Sequence, residues 1–558
     1  MKKIFISFFI LALASGVGAY FYLIKAPVLL PSAPEQLLPE NTTFLIQIKN
    51  LEKNIKSISK NNLGQNIKKI DFISTAKKLE LPEETIKGFE KFKSDFSSKI
   101  NQEIFYNFLG KNISFALISF DLEKPLENME AALLIQSKIN SKFSQILSES
   151  ISEIETKEKF EYKKTTISKA RYKDSFDFYH FLINEYLILT LNLETAQKIA
   201  GVTKEKSLAS TKKYKNIKNK INFKKRDFFF YADTKEIYSK IERISKKNKT
   251  DFLVNLKSRL NNDLKSVVLC GFNRGDSFYE SISEVELNYK NTIKKENGKN
   301  FLSMVPKDLV SFSWQNKFNP EKFIDNIFND KEKLKEFEQK LLFETQVDPR
   351  TFYNEFKGEL GIIITDTDTR GIFPVPSLAF VFDKKAGPVF NKGFDSIRKK
   401  QNNLIPLQNK TLNNVKIKSI PLPFGKSIEP SWGYFNDYFI VSVNTFVFQK
   451  IIDSGKSGNS IENNSNFKFI KEQFPEEFNM ISFFDTIKFL DNLKDSGRSI
   501  LKLSKFKSPD LTEKGEILLD EVLVPLFDGL SIYKAFGNAS VFEDDKLHGK
   551  GIIKKSGE

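Results

Sequence analysis

The hydrophobic pattern begins with one uninterrupted apolar run. Residues 4–24 carry no charge, and lysines precede and follow the run. A helix of this length would be about 31 Å long, which matches a bilayer core of about 30 Å. Lysines at positions 2 and 3 favour a cytoplasmic amino terminus. The pattern predicts a transmembrane signal anchor over residues 1–25, with the body in the periplasm or outside the cell.

A cleaved signal peptide is the alternative interpretation. Val17 and Ala19 are suitable for cleavage before Tyr20, which would release the body into the periplasm. The apolar run continues to Ile24, which favours the uncleaved anchor in the cytoplasmic membrane. Several prolines follow the run, and we expect a Pro-rich extended stalk over residues 26–37.

The body alternates short β-type runs with amphipathic stretches. Apolar residues at helical spacing begin after Asn50, which we expect to be an N-cap. The same spacing recurs over residues 86–100 and 143–154 and after Asp233. Polar pairs such as Asn184-Glu185 separate the β runs, and such short turns imply antiparallel pairing. The pattern therefore predicts an α+β fold, with helices packed on an antiparallel sheet. The predicted strands of the first half are residues 42–48, 113–120, 131–136, 161–168, 176–183, 186–192, 266–272 and 277–287.

Short sequence matches recur in the same order along the chain. The matched pairs are Pro39 with Pro306, Tyr106 with Tyr353, Tyr186 with Tyr438, and Asp233 with Asp485. Their separations are 267, 247, 252 and 252 residues, and this near-constant spacing indicates an internal repeat. We predict two similar α+β modules, one over residues 38–290 and one over 301–558, joined by a linker at 291–300.

The start of the first module carries a recognisable motif. Leu-Pro-Glu-Asn-Thr at 38–42 precedes a strand, Asn-Leu follows at 50–51, and Leu-Gly follows at 63–64. This arrangement resembles a bacterial family of exported, often membrane-anchored proteins that is catalogued only as a domain of unknown function. Asn41 stands where that family usually has Asp, and Asn61-Asn62 stands where it has Thr-Pro. The resemblance implies an envelope location and supplies no catalytic residue.

The net charge of +17 changes this picture little. The chain has 87 Lys and Arg against 70 Asp and Glu, and its Lys excess accompanies many Asn, Ile and Phe residues. All four residue types have A/T-rich codons, so genome composition accounts for the lysines. Basic clusters at 224–226 and 246–249 fit a strand flank and a solvated surface better than a nucleic-acid groove. We predict no nucleic-acid partner, and allow contact with a lipid or an anionic polymer.

The chain offers little catalytic chemistry, since it has only two His and one Cys. His180 and Cys270 lie in β runs and are interpreted as core residues, whereas His548 is expected to be exposed. Asp366, Asp368 and Gly371 echo a calcium loop but lack its closing Glu, so a surface loop is expected. The segments Ser454–Gly458 and Ser74–Lys77 are incomplete motifs, interpreted as a turn after a helix and a chance match.

These observations predict no catalytic residue, no cofactor and no metal site. The leading hypothesis is a non-enzymatic, membrane-anchored envelope protein whose exported body binds a protein or polymer partner. One alternative is a periplasmic carrier of lipid or another apolar ligand, with Phe-rich strands lining a cavity. Another is an envelope hydrolase using Asp233 and Asp485, although helix capping explains both residues more simply.

Overall fold

A computed structural model gives the fold of the chain. The residues that it describes are 33–97, 111–119, 129–136, 154–172, 176–184, 186–215, 226–237, 239, 264–275, 278–287, 295–328, 331–368, 374–423, 427–505, 508–543 and 545–556. Within these ranges, twenty strands form one sheet in which every neighbouring pair is antiparallel. The α+β class and the antiparallel sheet with helices are therefore confirmed.

The strands fall into two sets of ten along the chain. The first set is β1 (Phe44–Lys49), β2 (Asn112–Ser119), β3 (Glu130–Gln136), β4 (Ile154–Tyr162), β5 (Thr165–Tyr172), β6 (Phe176–Ile183), β7 (Tyr186–Thr190), β8 (Phe228–Ala232), β9 (Leu264–Asn273) and β10 (Phe278–Leu287). The second set is β11 (Ser311–Phe318), β12 (Gly358–Asp368), β13 (Val375–Asp383), β14 (Gln408–Leu412), β15 (Val415–Ser419), β16 (Ser431–Phe435), β17 (Tyr438–Ser442), β18 (Met480–Asp485), β19 (Tyr533–Glu543) and β20 (Lys546–Lys555).

The strands of the two sets follow the same order when they are counted inward from the two edges of the sheet. It runs β4-β5-β6-β7-β3-β2-β1-β8-β9-β10 and continues as β20-β19-β18-β11-β12-β13-β17-β16-β15-β14. The second sequence is the first one reversed, with ten added to each strand number. The two sets of strands meet where β10 pairs with β20, and we call this pairing the seam.

Strand registers relate individual residues of the two halves. In the first half, Ile282 pairs with Cys270, Cys270 pairs with Phe229, and Phe229 pairs with Gln47. In the second half, Lys550 pairs with residue 539, residue 539 pairs with residue 481, and residue 481 pairs with Trp314. Gln47 and Trp314 are 267 residues apart, one of the four separations seen in the sequence. The same strand-to-strand pairing can be followed from β1 and β11 toward the edges of the sheet. Equivalent residues are then 247 positions apart in β2 and β12, and 252 positions apart in β7 and β17.

The helices lie between these strands. They are α1 (Pro34–Leu37), α2 (Leu51–Lys60), α3 (Asn62–Lys69), α4 (Phe72–Lys78), α5 (Glu83–Ser97), α6 (Leu193–Ala200), α7 (Lys299–Leu302), α8 (Pro320–Phe328), α9 (Lys331–Thr345), α10 (Pro349–Phe356), α11 (Ala386–Lys400), α12 (Thr445–Ser457), α13 (Ser465–Lys471), α14 (Thr486–Ser504), α15 (Pro509–Leu518) and α16 (Val524–Leu530). Equivalent Asn residues cap α6 and α12: the Asn192 side chain accepts from the Thr195 amide, and the Asn444 side chain accepts from the Val447 amide.

Both large hydrophobic cores lie on one face of the sheet. The first contains Cys270 and the second contains Ile481 and Ala539. Cross-strand partners place their side chains on the same face. The partner series from Cys270 through Ile282, Lys550 and Ala539 to Ile481 therefore puts the two cores side by side, and leaves the opposite face for other contacts.

Several local expectations differ from the structure. Residues 34–37 of the expected stalk form α1, whose Leu37 packs in the first core. The strand expected at 161–168 is instead the end of β4 and the start of β5, because Lys163 adopts φ +54° in a tight turn. Asn50 precedes α2 with φ +51° and forms no side-chain cap, so its left-handed backbone conformation explains the residue there.

The predicted helix at 143–154 lies outside the described residues, except that Ile154 begins β4. The predicted anchor at 1–25 and the cleavage point before Tyr20 also lie outside them. Among the helices that the structure describes, none is both long enough and apolar enough to cross a membrane.

Candidate functional site

A cavity of about 940 Å³ lies against the sheet at the seam. Its floor consists of apolar side chains from adjacent strands: Ile48, Phe228, Tyr279, Ile553, Phe536 and Phe484. Tyr279, Ile553, Phe536 and Phe484 are successive cross-strand partners, so their side chains share one face. This is the face opposite the two cores, which makes the cavity a separate feature rather than a packing defect within a core.

The position of Tyr279 depends on a glycine in the neighbouring strand. A Cβ at Gly271 would lie 1.2 Å from the Tyr279 hydroxyl, so the phenol ring occupies the space above this glycine. Burial raises the pKa of Tyr279 above its usual value. The hydroxyl is therefore neutral at physiological pH and can donate a hydrogen bond inside an apolar site.

The rim of the cavity is polar, and part of it joins the two halves. The Asn61 side chain accepts from the Gly64 amide at 3.1 Å, capping α3 at the rim. Asn62 Nδ2 donates to the Asp528 carbonyl of α16 at 3.1 Å. Helix α3 of the first half is thus held against α16 of the second, next to the cavity.

The opposite part of the rim carries charge. Asp227 Oδ2 accepts from the Asn273 amide at 2.8 Å, and Lys555 Nζ donates to Asn273 Oδ1 at 3.1 Å. Lys60 adds a second cation to the lining residues. An apolar floor with a few polar groups at the mouth is the usual composition of a small-molecule site.

Strand registers make Ile282 equivalent to Lys550, so the two halves are related by a local two-fold axis at the seam. This two-fold relation does not extend to the cavity. Tyr279 and Ile553 correspond to Leu547 and Val285 near the other end of the seam. At that end, Lys265 Nζ lies 3.5 Å from carboxylate oxygens of both Glu286 and Asp545. Ion pairs therefore occupy one end of the seam, whereas the aromatic cavity occupies the other.

A buried polar network distinguishes the first core from the second. Glu35 Oε2 accepts from Gln47 Nε2 at 3.0 Å and lies 3.8 Å from Arg226 Nη2, which also donates to Gln47. Glu35 is 1% exposed and Arg226 6%. In the second half, Gln47 and Arg226 correspond to Trp314 and Phe478, whose rings meet edge to face at 5.9 Å. The network fixes α1 to β1 in the first half, and the described residues of the second half do not repeat it.

Charged side chains also lie at the seam on the core face, and sequence reasoning missed them. Glu284, 1% exposed, lies 2.9 Å from Lys546 Nζ and 3.9 Å from His548 Nδ1. Next along the seam, Glu280 Oε1 lies 3.2 Å from Lys550 Nζ. The alternation of Glu280, Ile282 and Glu284 in β10 was a possible sequence signal, since it places two acids on a face that also carries an apolar residue.

The structure confirms the core positions of His180 and Cys270. His180 lies in β6 at 1% exposure, and burial, with a smaller contribution from the Lys159 charge, lowers its pKa to about 4. Cys270 lies in β9, and burial raises the pKa of its thiol to about 12. His548 was expected to be exposed, and this was wrong, since pairing of β20 with β10 leaves it half-buried beside Glu284.

The expected surface loop at 366–371 is also corrected. Asp366 and Asp368 belong to β12, Asp366 Oδ2 accepts from Lys450 Nζ at 2.8 Å, and Asp368 is buried. Gly371 lies outside the described residues. The described part of the chain contains no group of three or more His, Cys, Asp or Glu side chains placed to hold a metal ion.

The remaining motif fragments have structural positions. Ser454–Ser457 is the last turn of α12 rather than a turn after it, and Gly458 follows with φ +70°. Ser74–Lys77 lies within α4. Of the two basic clusters, only Arg226 is described, and it lies in the buried network; the other lysines lie outside the described residues.

The two carboxylates that recur in both halves are brought to equivalent places, not together. Asp233 Oδ1 accepts from the Glu236 amide at 3.2 Å, and Asp485 Oδ1 accepts from the Lys488 amide at 3.0 Å. Each begins a helix directly after a strand, as the capping interpretation expected.

Comparison with protein families identifies the class of protein. The family described as "Protein of unknown function (DUF3352)" matches residues 5–509, and the chain belongs to this family. The resemblance deduced from the opening motif is thereby confirmed as a domain of unknown function. Comparisons with curated proteins and with solved structures found no match.

Proposed function

We propose that this chain is a membrane-anchored, exported, non-enzymatic envelope protein, and that its seam cavity binds an apolar or amphipathic small molecule. The observation that carries the proposal is the cavity of about 940 Å³ with its floor of aromatic and aliphatic side chains. This size is at the upper end of typical small-molecule pockets, about 300–1,000 Å³. The uncharged run at 4–24 supports the anchored location.

The side chains that line the cavity support a binding role more than a catalytic one. Its lining contains a single carboxylate, Asp227, among the described residues, and that group is engaged with the Asn273 amide. Asp233 and Asp485, the carboxylates considered for hydrolysis, cap helices instead of facing each other. The two halves of the chain supply different parts of the cavity, so we propose that two copies of one module, joined at the seam, form a shared site.

The test is to place a charge on the cavity floor. Phe536 is 38% exposed, so Phe536→Arg should fold while making the floor unfavourable for an apolar ligand. The full chain in non-ionic detergent is titrated with a fluorescent long-chain acyl probe. Wild type should bind the probe saturably, and Phe536→Arg should weaken binding by about tenfold or more.

Phe380 provides a matched control, because it is 37% exposed on β13 and does not line the cavity. Phe380→Arg should leave probe binding unchanged. This comparison also separates the cavity from the N-terminal apolar run, which would take up probe equally in both variants. Equal binding by wild type and Phe536→Arg would refute the cavity as the site.

A further inference from the structure

A second concave surface lies at the outer edge of the sheet in the second half. It has a volume of about 540 Å³ and lies beside α11, on the strands β14, β15 and β16. We call it the edge groove, and the side chains that define it are Asn409, Thr411, Lys416, Lys418, Trp432 and Tyr434. It is independent of the seam cavity, which shares none of these residues.

Strand pairing brings these side chains to one face. Asn409 pairs with Lys418 and Lys418 with Trp432, while Thr411 pairs with Lys416. Side chains of directly paired residues point to the same side of a sheet, and successive residues alternate. Amide, hydroxyl, ammonium and aromatic groups from three strands therefore meet on one surface.

The lysines of the edge groove are available for an anionic ligand. No described carboxylate forms an ion pair with Lys416 or Lys418, and none lines the groove. By contrast, Lys410 on the same hairpin is paired with the buried Glu429. Two uncompensated ammonium groups in a concave surface attract anions, because the surrounding protein focuses their field.

The orientation of one lysine is fixed by its surroundings. Asn391 Oδ1 of α11 accepts from Lys418 Nζ at 3.0 Å and from Trp432 Nε1 at 3.1 Å. Asn391 Nδ2 in turn donates to the Gly387 carbonyl at 2.8 Å. Asn391 is thus a positioning residue that holds Lys418 at the base of the groove.

An aromatic ring completes the surface. Tyr434 is 44% exposed, and its ring packs against Phe439 with centroids 5.3 Å apart. A Cβ at Gly387 would lie 2.1 Å from the Tyr434 hydroxyl, so the ring is held above this glycine. The negative face of an aromatic ring attracts the C–H groups on one face of a saturated ligand ring.

The first half lacks this combination at the equivalent positions. Strand registers relate Lys416, Lys418, Trp432 and Tyr434 to Thr166, Ser168, His180 and Leu182. None of the first-half residues is a cation. The edge groove is therefore a feature of the second half and not a general property of the repeated fold.

We propose that the edge groove binds an anionic saccharide, with carboxylate or phosphate groups on Lys416 and Lys418 and a sugar ring stacked on Tyr434. Amide and hydroxyl groups of Asn409 and Thr411 serve the sugar hydroxyls. A saccharide fits better than an acidic peptide, because the groove combines hydroxyl-binding groups and an exposed ring with the two cations.

The experiment titrates the full chain, in non-ionic detergent at low salt, with polygalacturonate, neutral dextran and poly-L-glutamate. Wild type should bind polygalacturonate in preference to both other polymers. Lys416→Glu/Lys418→Glu should weaken this binding by about tenfold or more, since it replaces attraction by repulsion. Tyr434→Ala should weaken it by about threefold or more, the scale of one lost stacking contact.

The equivalent edge hairpin of the first half supplies the control. Lys159→Glu/Lys164→Glu changes the net charge equally at two exposed positions and should leave the affinity within about twofold. Failure of wild type to bind polygalacturonate would overturn the proposal. So would equal affinity for poly-L-glutamate combined with no effect of Tyr434→Ala, since charge alone would then explain binding. Neither result bears on the seam cavity.

Discussion

Ile282 and Lys550 face each other across the seam, and each occupies the same position in its own half of the chain. They are 268 residues apart, and the same separation makes Glu280 equivalent to His548 and Glu284 equivalent to Ile552. Exchanging the two halves therefore turns the Glu280–Ile552 pair into the Glu284–His548 pair. This is the geometry of an isologous two-fold interface, here formed within one chain. The two halves differ at its centre, where Lys550 reaches Glu280 rather than packing as Ile282 does.

The buried network of the first half should lose stability when one partner is removed. Arg226→Met would leave the Glu35 carboxylate at 1% exposure without its cation, and should cost about 3–5 kcal/mol. The triple variant Glu35→Leu/Gln47→Leu/Arg226→Met removes both charges and the amide together, and leaves only the neutral Tyr214 hydroxyl without its Glu35 partner. The second half likewise has Trp314 and Phe478 in place of Gln47 and Arg226. Urea unfolding should show that it recovers most of the loss. A triple variant no more stable than Arg226→Met would contradict this account.

Helix capping by Asp485 should survive replacement by Asn. Burial raises the pKa of Asp485, so its ionisation opposes folding above the unfolded-state value of about 3.9. The stability associated with the neutral carboxyl is present at low pH and is lost as the pH rises through the folded pKa. Asp485→Asn avoids that loss and should match or exceed wild type at pH 7. Asp485→Ala should cost about 1 kcal/mol, measured by thermal unfolding.

The equivalent residue in the first half gives a control for this prediction. Asp233 lies 2.7 Å from Lys213 Nζ, so Asp233→Asn removes an ion pair and should cost about 0.5 kcal/mol. If Asp485→Asn proved as destabilising as Asp485→Ala, the cap would not be the role of this residue.

His180 should make the protein less stable in acid. Its pKa falls to about 4 in the folded chain, mainly through burial, against about 6.5 when unfolded. The neutral ring contributes its full stability above pH 6.5, and this contribution is lost as the pH falls toward 4, by about 3 kcal/mol in total. Unfolding of His180→Phe between pH 7.5 and 4.5 should show a correspondingly smaller pH dependence.

A neighbouring substitution separates titration from packing. Phe178 is fully buried, with its ring centroid 6.0 Å from that of His180. Phe178→Leu should lower stability at every pH and keep the wild-type slope. An unchanged slope in His180→Phe would show that another group controls the acid sensitivity.

The sequence by itself determined much of the local structure, because its signals act over short distances. Alternation located most strands of the first half, and Asn184 adopts φ +53° in the tight hairpin turn where it was expected. Asn436, its match in the second half, has the same φ. The aspartates at 233 and 485 cap helices as predicted. The separations between repeated motifs are the same ones that the strand registers give. Each of these features depends on a few neighbouring residues and on their order.

Only the tertiary structure decided how distant strands meet. The pairing of β10 with β20 depends on contacts between residues about 268 positions apart, and no local pattern specifies such a partner. That pairing half-buries His548 beside Glu284 and brings Tyr279 next to Ile553 on the cavity floor. It also decided that the two halves share one sheet, since an edge strand with unpaired amides and carbonyls can be satisfied by any suitable strand, wherever it lies in the chain.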